Sequence, residues 1–228
     1  MRKIHVLSFA LVAACVLNAV VTSAAFAEEL PAEFLSGGAV ITTFPLAFHI
    51  ENKGTELLLL EDMKALGGAV DVLCSGLFDG LILSAKDADI ETVLSLTGTT
   101  PIPCEIMTFG GCLNNGQEAL IGAINLPWLV EPVLLNGLFV LLILENGAGL
   151  PGYVVECETI IGKFTDTCTA NTGAEAKNIA EGIEAGFSET SEEITPSGNC
   201  TSGAALQALL FGFGIITDPE GGVLSVSS

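Results

Sequence analysis

After residue 27 the chain contains no arginine, one histidine (His49), one tryptophan (Trp128) and one tyrosine (Tyr153). Its only basic side chains there are Lys53, Lys64, Lys86, Lys163 and Lys177, set against 27 carboxylates. A field of that sign repels phosphate backbones and anionic headgroups, which excludes nucleic acid as a partner and leaves a basic partner or a divalent cation. The same charge keeps an apolar, glycine-rich chain dispersed in water.

The single histidine restricts catalysis. A Ser-His-Asp or Cys-His arrangement would have to run through His49, and no Gly-x-Ser-x-Gly elbow is present. His49 lies in the apolar-flanked run Ala47-Phe48-His49-Ile50 and reads as an outward strand residue. One histidine also argues against a zinc site, and no cofactor motif occurs. Sugar-binding platforms use several large aromatics, and two do not make one.

Long uninterrupted apolar runs are scarce beyond the N-terminus. Residues 126–144 carry one charge, Glu131, but Pro127, Pro132 and the Asn136-Gly137 pair interrupt them. A spanning helix needs about 20 mostly apolar residues. Asn-Gly between apolar runs predicts a β-hairpin instead, so no transmembrane span is expected after residue 27.

The N-terminus reads differently. Arg2 and Lys3 precede an apolar run over 6–21, and Ala25-Phe26-Ala27 fits the small-x-small pattern of a secretory signal. The expected organisation is a signal peptide over 1–27 and a single extracellular domain over 28–228. Val12-Ala13-Ala14-Cys15 offers the alternative of a lipid anchor through Cys15.

Six cysteines remain after that cut: Cys74, Cys104, Cys112, Cys157, Cys168 and Cys200. An even set in an exported chain reads as a disulfide framework. Fifteen pairings are possible. Sequence spacing favours Cys104–Cys112 across one short loop, Cys74–Cys157 between strands, and Cys168–Cys200 around the acidic segment between them.

Short β-branched runs separated by Gly, Pro and Asn turns recur along the domain. Strands are expected around 37–44, 48–51, 67–74, 81–84, 90–97, 130–135, 138–145, 153–157 and 223–227. Residues 28–36 read as an exposed leader, 75–80 as a bend, and 101–116 as a loop. Residues 57–65 fit a strand or a short helix. Over 174–187, Ile179, Ile183 and Phe187 recur every four residues, which fits an amphipathic helix weakened by Gly182 and Gly186, or else a strand. About ten short strands with at most one or two short helices give a mainly β fold, an antiparallel sandwich or barrel.

Phe48, Gly54, the strand into Cys74 with Gly76 and Gly80 after it, and the run 94–98 recur in one layout. So do the Cys104 and Cys112 segment, Asn125-Leu126-Pro127-Trp128, and the stretch from Gly152-Tyr153 to Cys157. This layout resembles a group of secreted actinobacterial β-rich proteins with signal peptides. The resemblance implies an exported β domain and brings no activity, cofactor or catalytic residue with it.

Carboxylates are the remaining chemistry. Paired acids could serve a secreted hydrolase. Asp87, Asp89 and Glu91 alternate and offer hard oxygens to calcium, as does 218–222 more weakly; neither matches an EF-hand loop, and a solvated acidic segment is the plainer reading. Asn199-Cys200-Thr201 matches a glycosylation sequon in form. The reading that fits the most features is a secreted, acidic, non-enzymatic structural or binding module of the cell envelope or extracellular space. A carboxylate hydrolase and a calcium-dependent adhesion module are its alternatives.

Overall fold

A computed structural model describes residues 29–54, 58–62, 70–74, 76–95, 104–109, 118–159, 162–187, 197–200 and 208–228. Within them every regular element is a strand. In chain order these are β1 (Glu29–Pro31), β2 (Glu33–Ser36), β3 (Ala39–Val40), β4 (Leu46–Asn52), β5 (Leu58–Asp62), β6 (Val70–Cys74), β7 (Gly76–Ile82), β8 (Ala88–Ser95), β9 (Cys104–Phe109) and β10 (Glu118–Ile124). There follow β11 (Trp128–Leu135), β12 (Leu138–Leu144), β13 (Gly152–Thr159), β14 (Gly162–Thr169), β15 (Thr172–Asn178), β16 (Ile183–Phe187), β17 (Ser197–Cys200), β18 (Ala208–Thr217) and β19 (Leu224–Ser227).

Of the two expected architectures the chain takes the barrel. Strands β4, β7, β8, β11, β12, β15, β16 and β18 pair in that order, and β18 returns to β4, closing an antiparallel ring of eight. A second ring of pairings runs β5, β6, β9, β10, β13, β14, β17, β18 and back to β5. Each strand of one ring other than β18 is joined in sequence to a strand of the other, so the second ring continues the ladders of the first. Only β18, ten residues long, belongs to both without interruption.

Alternation decides what fills the first ring. Leu46, Phe48 and Ile50 of β4 face the core with Phe78, Ile82, Ala88, Ile90, Trp128 and Val130. Phe139, Leu141, Ile143, Ala176, Ile183, Ala185 and Ile216 complete the same cluster from the other side of the ring. Burying one such large side chain stabilises by about 1.5–3 kcal/mol.

One end is capped. Strands β19, β2 and β3 form a separate three-stranded sheet, and its Phe34, Leu224 and Val226 join the barrel core. They share that cluster with Ile82, Ala88 and Ile183, which are the last or first residues of their strands. Phe34 N donates to Ala85 O at 2.7 Å, and Ala32 N to Pro132 O at 3.3 Å. Asn178 grips Val226 twice: Nδ2 donates to its carbonyl at 2.9 Å and Oδ1 accepts from its N–H at 2.8 Å.

Several expectations are corrected here. The exposed leader is structured: β1 adds to β11, β2 pairs with β19, and Ala32 and Phe34 are buried. Residues 76–80 continue a strand rather than bend, and 104–109 form β9 rather than loop. Of the two readings left open for 174–187, the strand holds: the segment is a hairpin of β15 and β16, turned where Ile179 N donates to Gly182 O at 2.9 Å. Residues 58–62 are strand, while 63–69 lie outside the described residues, as do the signal segment with Cys15, and Cys112.

The Asn136-Gly137 hairpin stands as expected, joining β11 to β12 with both residues at positive φ, 51° and 82°. That is the type I′ combination, whose twist matches the flanking strands. Among the described residues no helix is long and apolar enough to cross a membrane.

Candidate functional site

Polar side chains on several strands of the first ring fall at positions that alternate with the core residues, while β12 is apolar on both faces. The polar residues so placed are His49 and Glu51 on β4, Asp79 on β7, Asp89 and Glu91 on β8, and Glu184 on β16, with Ala47 and Leu81 among their apolar neighbours.

His49 and Asp79 stand directly opposite each other on β4 and β7. A carboxylate can only accept, so His49 Nδ1–H donates to Asp79 Oδ1. In the neutral ring, that bond puts the proton on Nδ1 and leaves Nε2 as the acceptor. On the other side of His49 the register places Thr217 of β18, and beyond Asp79 it places Thr92 of β8. The register therefore lines up Thr217, His49, Asp79 and Thr92 across four adjacent strands.

This row contains the residue types of a nucleophile–base–acid relay but sits on a poor foundation for one. Strand β4 is paired on both edges, by β18 and β7, so ladder bonds engage its backbone N–H groups. Acyl transfer needs such donors free and converging on an oxyanion. The side chains of His49 and Asp79 are 36% and 29% exposed, on a convex surface open to solvent. What the pair can do is hold β4 to β7 and present one oriented imidazole. Nearby, Lys53 Nζ reaches Glu184 at 2.9 Å, linking the edge of β4 to β16.

The expected calcium ligands separate into distinct roles. Asp87 belongs to the β7–β8 turn: Ser84 Oγ donates to its Oδ2 at 2.6 Å, and its carbonyl accepts from Leu83 and Ser84. Asp89 and Glu91 follow on β8. Partial burial, then the charge of Glu91, then that of Asp87 raise the Asp89 carboxyl above the ordinary aspartate range. Asp218 is buried and spent on its own turn, where Oδ1 accepts from Glu220 N at 2.8 Å and its carbonyl from Gly221 N at 3.0 Å. Among the described residues no three His, Cys, Asp or Glu side chains converge on a metal-sized gap.

Trp128 and Tyr153 both pack against the core rather than presenting an aromatic platform. Trp128 Nε1 donates to Ile124 O at 2.8 Å within the β10–β11 junction, and Asn125 Nδ2 donates to Leu150 O at 2.7 Å, binding that junction to the β12–β13 junction.

Backbone register sorts the cysteines. Cys74 of β6 lies opposite Cys104 of β9, and Cys168 of β14 lies opposite Cys200 of β17. Cys157 of β13 lies opposite Phe164. Strands β10 and β9 stand between β13 and β6 in the ring, so Cys74 and Cys157 are not on neighbouring strands.

The register signal that joins His49 to Asp79 across 30 residues has no trace in local sequence. The one available hint was the polar residue at the centre of each short strand. No family model matches this chain, and no curated protein or solved structure matches it either.

Proposed function

We propose that the protein is an exported, acidic, non-enzymatic module of the cell envelope or extracellular space, acting through its outer surface. The observation that carries this reading is the filled and capped first ring. Phe48, Phe78, Phe139, Leu141, Ile183 and Ile216 occupy the interior that a ligand-carrying barrel keeps open, and the β19-β2-β3 sheet covers the end. Recognition then falls to the wall, whose carboxylates suit a basic partner. Export rests on the signal-like residues 1–27, and an oxidising destination accounts for six cysteines.

The test is the purified mature chain against a broad hydrolase panel together with binding to cell-envelope fractions. Retention on envelope material that weakens as salt rises, without turnover, is the expected result. Robust turnover abolished by substituting one of two carboxylates overturns it and favours the hydrolase. A melting temperature that rises with millimolar calcium and falls with chelator favours the adhesion reading instead.

A further inference from the structure

We propose that the second ring is stapled by two cross-strand disulfides, Cys74–Cys104 and Cys168–Cys200, leaving Cys112 and Cys157 as the remaining pair of sulfurs. This goes beyond the functional reading and does not depend on it. Five cysteines fall on described strands, and four of them form two directly opposed pairs in antiparallel ladders. Directly opposed residues have Cα atoms about 4.5 or 5.5 Å apart. Both values lie inside the roughly 4.4–6.8 Å that a disulfide spans.

Cys168 supplies the second observation. It is 1% exposed, packs against Tyr153, and its sulfur is disulfide-bonded. Its two neighbours in register are Tyr153 and Cys200. The strand that carries Cys200 also has the greatest need of a covalent tie. β17 has two register pairs with β14 on one side and two with β18 on the other, against eight between β13 and β14. A bridge at Cys168–Cys200 holds the two-pair ladder between β14 and β17 shut. The Cys74–Cys104 bridge does the same for β6 and β9, whose register slips between Asp71 and Val72.

Each closure takes two thiols and forms one S–S bond. Two protons and two electrons pass to an exchangeable disulfide such as oxidised glutathione, which leaves as two thiols. The framework replaces the spacing-based Cys104–Cys112 and Cys74–Cys157 links and keeps Cys168–Cys200.

The experiment refolds the full chain in a glutathione redox buffer, so the result is independent of where the chain is exported. Free thiols are alkylated, the protein is digested without reduction, and linked peptides are identified by mass spectrometry. The expected result is Cys74 linked to Cys104 and Cys168 linked to Cys200. Cys74 or Cys104 joined to Cys112 or Cys157, or any of the four alkylated in the folded protein, overturns the proposal. As a second arm, Cys74→Ser should release one new alkylatable thiol at Cys104, and Cys168→Ser one at Cys200. A new label at any other cysteine counts against it.

Discussion

The ring of Phe48 occupies the space that a side chain on Gly80 would need. The two residues are directly paired across β4 and β7, and a methyl group at Gly80 would also press on the carbonyl of Asp89. A backbone carbonyl cannot swing aside as a flexible side chain can. Gly80→Ala is therefore expected to destabilise by about 2–3 kcal/mol. That is a fall in melting temperature of roughly 4–12 °C for a domain of this size, read by circular dichroism. Gly122→Ala is the control: its nearest neighbour, a Val154 methyl at 3.4 Å, leaves room. A Gly80→Ala protein that melts with wild type would refute the close approach.

Asn178 is the strongest polar tie between the cap and the barrel, with one bond in each direction to the backbone of Val226. Asn178→Ala leaves that N–H and carbonyl without partners beside a buried side chain, at a cost of about 1–3 kcal/mol. Amide exchange should accelerate across 224–227 more than across 139–143. Uniform acceleration over both segments would mean that the cap and barrel open together and that this contact does not hold the cap.

Asp89 gives a pH dependence of defined sign. Its carboxyl is raised in the folded state by burial and by Glu91 and Asp87, so the native state holds that proton more tightly than the unfolded chain does. Its contribution is then fully present below the unfolded aspartate pKa and is lost as pH rises through the folded one. Asp89→Asn should raise the melting temperature at neutral pH and leave it unchanged near pH 3. Equal effects at both pH values would assign the gain to something other than charge.

The His49–Asp79 bond joins two half-exposed side chains, so its coupling should be small despite its direct geometry. A double-mutant cycle with His49→Gln and Asp79→Asn is expected to give below about 1 kcal/mol, shrinking in high salt. A coupling of several kcal/mol, insensitive to salt, would show a desolvated pair and revive a catalytic role for the dyad.

How much of this was legible in sequence depends on the range of the interaction. The Asn136-Gly137 hairpin was, because the turn chemistry is local. The segment 174–187 was ambiguous for a numerical reason. A spacing of four is about one helical turn, and it is also two strand repeats, so Ile183 and Phe187 share a face in either structure. In the barrel the strand prevails because β16 gains ladders on both sides, with β15 and β18. Gly76 and Gly80 read as a bend for want of the one fact that explains Gly80, the Phe48 ring on the neighbouring strand. The same limit hid the His49–Asp79 pair and the two opposed cysteine pairs, since each depends on a register no local pattern encodes.

Strand β18 is the only element that closes either ring, and it lies near the C-terminal end of the domain, whereas its partners β4 and β5 lie near the start. The β18-facing edge of β4 and β5 therefore waits, unpaired, until almost the whole domain has been synthesised. An open strand edge is a template for pairing with other chains. The contact that completes this barrel is among its most distant in sequence, and such contacts form slowly. A chain that stalls short of Ala208 is thus an open sheet with two sticky margins, and its fate before closure is set by how quickly the last strand arrives.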